Sequence, residues 1–368
     1  MLSQRFIFFL FFMLLATACY SDQAAVVAPP RSVSCLDEGY EIPNLCEDER
    51  EYLDWARGYR PELKFSDLTG EDYKGIVQAT KDVDKAAALF YQRLIADPRN
   101  RSFLNQIKAI ERSDSEKHSQ SGAGLLLAVA PGMFYKDNKG EVDATGASLR
   151  SIARELGMAE AIIPTEQTGT VVQNGHIICE YVEKIQKSKE ASGLIIASAS
   201  KGSSDMKMAI RECGHQPWFR VVRGWINMGG ILNGSRLVDH ILDDPSAYWQ
   251  ARYYFWRKGY DWEGLRSMRH GEDAPLAGPV DIPPGMTVVS IVGVPLFRHV
   301  TTRARPFYLA MVPQGPSDGI ILLSEAHIPG TITYASFRND HYFQWPVPES
   351  RIRAFLIYLI DQARLVSR

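Results

Sequence analysis

The sequence predicts an α/β fold, a mostly parallel sheet with helices on both faces, and three observations carry that expectation. Short apolar runs of strand length recur from Gly122 onward, bounded by Gly, Pro or small polar residues and separated by stretches of helical period. Such alternation makes parallel strands joined by crossover helices. The run from Leu194 to Ala199 is a buried-strand pattern, and Ser203 to Ile210 can form a helix. Between them there is room only for a tight turn with Ser200 at its tip, flanked two residues away on either side by the small Ser198 and Gly202. Finally, 368 residues of which 45% are hydrophobic and 23% charged can bury a full core. A formal charge of -2 supplies no basic field for nucleic acid.

Residues 1–18 read as a signal peptide. Arg5 gives a positive start, Phe6 to Leu15 is apolar but short for a membrane span, and Ala16-Thr17-Ala18 is a small-residue cleavage site. The segment Leu15-Ala16-Thr17-Ala18-Cys19 resembles a bacterial lipobox, which implies cleavage before Cys19, lipid attachment to it and a membrane anchor. Tyr20 rather than Asp follows, so the expected place is the cell envelope, as an outer-membrane lipoprotein facing the periplasm or the surface. Ala16 stands where the motif usually has Leu, which leaves ordinary cleavage and a secreted or periplasmic chain open. Residues 19–34, with Ala24-Ala25 and Pro29-Pro30, form a tether.

Residues 35–116 are charged and helical in pattern, with apolar spacing in Glu51–Ala56 and in Val83–Ile95, the second ended by Asp97-Pro98. They read as a helical layer with no chemistry of its own. Beyond Cys19 there are four cysteines. Cys35 and Cys46 bracket a short loop and form the expected disulfide; Cys179 and Cys213 are either a second bridge or buried thiols. None has metal-ligand spacing, and neither a metal nor an organic cofactor is expected.

Residues 117–368 carry the sheet. Leu125–Ala130, Ala161–Ile163, Leu194–Ala199, Phe219–Val222, Thr287–Val292, Tyr308–Pro313 and Thr331–Ala335 read as strands. Ser148–Leu156, Val171–Lys187, the stretch after Gly202 and Glu349–Arg364 read as helices. An insertion over residues 237–279 is rich in aromatics (Tyr248, Trp249, Tyr253, Tyr254, Phe255, Trp256, Tyr260, Trp262) and reads as a cap. Its rings either line an acyl pocket or pack the insert onto the sheet.

A serine hydroxyl is a poor nucleophile unless a base removes its proton, and the base needs an orienting carboxylate. Downstream of Ser200 the chain supplies both: Asp318 in Gly315-Pro316-Ser317-Asp318-Gly319, and His341 in Asn339-Asp340-His341. The set Pro131-Gly132-Met133-Phe134, Ser198-Ala199-Ser200-Lys201-Gly202, Ser317-Asp318-Gly319 and Asp340-His341 resembles the α/β-hydrolase superfamily, closest to its lipases and esterases. The resemblance implies Ser200 as nucleophile, Asp318 as orienting acid and His341 as general base. It implies an oxyanion hole from the backbone N–H groups of Lys201 and Met133, with a small-molecule or lipid ester as substrate. The pattern departs from the family at Ser198, usually Gly, and at Pro131, where many relatives have His. Asp239 is the alternative acid, and His240, His299 and His327 are alternative histidines read as structural or surface residues. The Lys201 side chain is expected to face solvent or substrate. The alternatives are an inactive hydrolase-fold binding lipoprotein, which would have no need to retain an intact ordered triad, and an amidase or peptidase using the same residues.

Overall fold

The computed structural model describes residues 45–113, 120–137, 143–344 and 347–366. The expected signal peptide, Cys19 and Cys35 lie outside them. Helices α1 (Glu47–Gly58), α2 (Gly70–Thr80), α3 (Val83–Ala96) and α4 (Pro98–Glu111) come first. Their boundaries follow local chemistry. The Thr69 hydroxyl accepts from the Asp72 amide at the start of α2. Asp97 both ends α3 and caps α4, where Pro98 fills a first-turn position that needs no N–H.

The sheet then begins. Strands β1 (Leu125–Ala130) and β2 (Ala159–Ile162) flank α5 (Ala147–Glu155). Helix α6 (Val171–Ser188) leads to β3 (Gly193–Ala199), and α7 (Lys201–Cys213) to β4 (Val222–Met228). The connection to β5 (Thr287–Val294) holds α8 (Arg236–Asp243), α9 (Pro245–Lys258) and α10 (Trp262–Arg266). Helix α11 (Arg305–Met311), β6 (Ile332–Phe337) and α12 (Glu349–Val366) close the chain.

The six strands are all parallel, in the order β2-β1-β3-β4-β5-β6. The chain goes outward from β1 to the β2 edge, then returns past β1 to β3. Sequential connections therefore leave β1 and β3 in opposite directions, and the C-terminal ends of this pair form the crevice where such sheets bind ligands. At the β2 edge, Glu160 meets Arg150 at 2.9 Å and Arg154 at 2.7 Å, so the edge carries charge.

Alternation along the strands divides the core into layers. Leu127, Val129, Ile195, Ala197 and Ile226 pack with Ile152 of α5, Phe355 and Leu359 of α12 and Phe103 of α4. On the other face Leu126, Ala128, Leu194, Ile196 and Trp225 pack with Ile178 of α6 and Met206 of α7. That layer reaches only the start of β5, at Val288. Over β5 and β6, Val292, Val294, Ala335 and Phe337 are covered by Leu89, Phe90 and Tyr91 of α3 and their neighbours. The N-terminal helices thus share the cover of this half of the sheet with Tyr308 of α11 and Phe255 of α9.

Two expected strands are corrected. Tyr308–Pro313 is helix α11 followed by a 3-10 turn, Val312–Gln314. An apolar run this short fits either period, and Pro306 in the first helical turn decides it. Phe219–Val221 belongs to a 3-10 turn set by Pro217, and the strand runs from Val222 through Met228. Cys179 and Cys213 form a disulfide that ties α6 to the end of α7. Cys46 is also disulfide-bonded, at the start of α1.

Candidate active site

Ser200 sits between β3 and α7 with φ 49° and ψ -118°, a region that residues with a Cβ rarely enter. Its amide donates to the Met228 carbonyl at 3.0 Å, and its carbonyl accepts from Ser203 at 3.0 Å. Gly202 is required here: an added Cβ would lie 2.2 Å from the Ala130 carbonyl oxygen. Ser198, in the usual glycine position, is buried, and its hydroxyl has a use. It accepts the Trp225 indole N–H at 2.7 Å and shares a hydrogen bond with Ser203 at 2.8 Å.

Two distant loops bring the other candidates to Ser200. Gly293 in β5 lets the loop after β6 pass close, since an added Cβ would lie 2.8 Å from the carbonyl oxygens of Asn339 and Asp340. Asp340 pins that loop by accepting from the Thr301 amide at 2.8 Å, the Thr301 hydroxyl at 2.7 Å and the Tyr342 amide at 2.9 Å. His341 then places Nε2 3.0 Å from the Ser200 hydroxyl and Nδ1 2.8 Å from Asp318. The His341 amide also donates to the Asp318 carbonyl at 2.8 Å. Asp318 is fully buried, and its other carboxylate oxygen accepts from the Ile320 and Ile321 amides, each at 2.9 Å. Only donors surround the Asp318 carboxylate, so Nδ1 carries a proton and Nε2 is left to accept from the serine.

The β1–α5 loop passes the same point. An added Cβ on Gly132 would lie 3.7 Å from the Ser200 Cβ, and Met133 is the residue that follows. Neither the Met133 nor the Lys201 amide donates to another group among the described residues. Ser200, Phe134, Arg338 and Phe343 are four of the seven non-glycine residues with positive φ among the described residues, and all lie in the segments that converge here. Backbone strain collects where function holds it.

The remaining candidates are elsewhere. Asp239 on α8 accepts from the His270 amide at 3.0 Å, and His240 follows it on that helix. His327 is half-buried between Phe65 and Phe90, and desolvation pushes its pKa down to about 4. His299 is buried against Glu49 at 2.9 Å, with Nδ1 accepting from the Leu296 amide. The expectation for Lys201 is corrected. Its side chain is buried and paired with Asp205 at 2.8 Å, because the i,i+4 spacing on α7 brings the two together in the core. Asn174 of α6 donates to the same carboxylate at 2.9 Å, while burial still pushes Asp205 up to about 6.

A reading of the sequence alone missed Glu49. From α1 it accepts two bonds from Arg338, each 2.7 Å, so the N-terminal layer braces the segment that leads to His341. No local signal marks a pair this far apart in the chain.

No protein-family model matches the sequence, and no curated protein matches it. Among solved structures, a metagenomic carboxyl esterase matches with a TM-score of 0.52 and 17% identity, over 72% of this chain and 92% of that one. The fold is that of an α/β hydrolase. The mature form of a Bacillus licheniformis lipase matches with a TM-score of 0.44 and 16% identity, over 69% of this chain and 96% of that one. Within this α/β-hydrolase fold, Ser200 occupies the strand-to-helix turn at the C-terminal end of β3, beside the β1–β3 crevice.

Proposed function

We propose that the protein is a serine hydrolase of carboxylic esters. The observation that carries this reading is the continuous chain of contacts from Asp318 through His341 to the Ser200 oxygen. His341 Nε2 takes the hydroxyl proton as the oxygen attacks the ester carbonyl. Asp318 holds the ring and stabilises the imidazolium that forms. The tetrahedral oxyanion lies against the Lys201 and Met133 amides at the N-terminal end of α7. His341 returns the proton to the leaving alcohol, and water admitted to the same position releases the acyl group.

Hydrolysis of p-nitrophenyl esters of graded chain length tests it. Ser200→Ala and His341→Ala should each remove most turnover. Asp318→Asn should lower kcat by roughly 10⁴-fold through the wrong ring tautomer. Full turnover in Ser200→Ala would exclude the reading. From the sequence we further propose export with lipid attachment at Cys19, which the mass of the mature N-terminal peptide would reveal.

A further inference from the structure

We propose that the outer face of α9 is a docking surface for an anionic lipid interface. Trp249, Tyr253 and Trp256 are 69%, 51% and 74% exposed, three of the five large hydrophobic residues that are exposed among the described residues. With Arg252 they stand at i, i+3, i+4 and i+7, and so share one face of the helix. Ala247, Ala251 and Phe255 bury the opposite face, so the exposed rings cannot turn inward. An open depression of about 560 Å³ runs between the rings and ends at Gly259 and Tyr260.

Charge selects the occupant. The charged residues of α9 are Arg252, Arg257 and Lys258, all basic. Indole and phenol rings settle at the headgroup level of a bilayer, where the ring is buried and its polar edge stays wet. Basic residues beside them add attraction to anionic headgroups. A second copy of this chain across a two-fold axis would set the same cations against one another, which disfavours self-association through this face.

The inner side of this cap reaches the candidate site. Phe134, next to Met133, packs on Phe255 at 5.8 Å and Tyr260 at 4.9 Å, and the Tyr260 hydroxyl donates to Asp137 at 2.6 Å. Docking would therefore hold the Met133 loop on the lipid side of the molecule. Only the consequence, that the ester comes from the lipid phase, rests on the serine-hydrolase reading; the docking itself does not.

The test uses the mature protein with phosphatidylcholine vesicles, with or without phosphatidylglycerol, carrying bromine on the acyl chains. The readout is the depth of these particular rings, so it holds whether or not Cys19 bears a lipid. Bromine should quench tryptophan emission on the anionic vesicles, and Trp249→Phe/Trp256→Phe should remove most of that quenching. Arg252→Glu/Arg257→Glu should weaken vesicle binding roughly tenfold or more. Turnover of a soluble short-chain ester should be unchanged in both variants. Absent quenching, or quenching equal in the double Phe variant, would overturn the proposal. So would a dimer in sedimentation that the double Phe variant loses while vesicles cause no quenching.

Discussion

Holding Ser200 at φ 49° costs on the order of 1–3 kcal/mol, and neighbouring residues maintain it. The Met228 carbonyl takes its amide, the Ser203 and Ile231 amides take its carbonyl, and the side chain at 202 is missing. Gly202→Ala should therefore do more than add a methyl group. The Cβ would meet the Ala130 and Pro131 carbonyl oxygens, so β1 and α7 must separate. Urea denaturation should show a loss of roughly 1–3 kcal/mol, with a larger loss of ester turnover than of stability. An active variant of unchanged midpoint would contradict the close approach. At this scale the sequence is informative where chemistry fixes residue type and order. Ser200, Asp318 and His341 are legible as candidates because four motifs in order resemble the α/β-hydrolase pattern, and the fold brings the three into contact. Lys201 is misread because exposure depends on the partner helix, although the Asp205 spacing was available as a signal.

Helix α7 does more than present Ser200. Lys207 is buried with no carboxylate paired to it among the described residues, and its ammonium donates to the carbonyls of Leu232, Leu276 and Gly278 at 2.7–2.8 Å and to the Asn233 side chain at 3.1 Å. Burial and Arg211 push its pKa down to about 7, while the oxygens around it favour the charged form. Arg211, one turn on, donates to the Pro275, Ala277, Gly278 and Pro279 carbonyls. The helix that begins at Ser200 thus clamps the end of the cap insertion. Lys207→Met should leave these carbonyls unpaired, costing roughly 1–3 kcal/mol. Hydrogen exchange should speed up in the segment around 275–279 while the protection of β3 is retained. Equal exchange in both proteins would remove the clamp. The Gly/Pro-rich composition of that segment shows a loop but cannot show which side chain organises it. The same limit explains α11: periodicity in a short apolar run does not separate helix from strand, and Pro306 in its first turn together with its packing on α8 resolves it.

For the whole molecule, the N-terminal helices are joined to the sheet domain by a buried charge cluster as well as by apolar packing. Glu49 of α1 meets Arg338 and His299, and accepts from the Cys46 amide at 2.7 Å. Burial opposes the charge, but the His299 and Arg338 bonds hold the Glu49 pKa down at about 2 against its usual 4.5. A depressed carboxyl stabilises the fold fully above its unfolded pKa and loses that contribution as pH falls toward the folded one. Glu49→Gln should cost roughly 3–5 kcal/mol near neutral pH, because the carboxylate charge that the buried Arg338 and His299 both meet is removed. The gap between wild type and variant, from urea midpoints, should narrow as pH drops from about 4.5 to about 2. A gap independent of pH would exclude the cluster as the source. The helical character of this layer is legible from its spacing and caps, but its role is not, since Glu49 and Arg338 stand 289 positions apart in the chain.

The proposed function requires that His341 and Asp318 make Ser200 nucleophilic. Peptide mapping after reaction with a fluorophosphonate probe tests this most directly. One adduct is expected, on the peptide containing Ser200, absent from Ser200→Ala and strongly reduced in His341→Ala. An adduct on another residue, or equal labelling of wild type and Ser200→Ala, would contradict it.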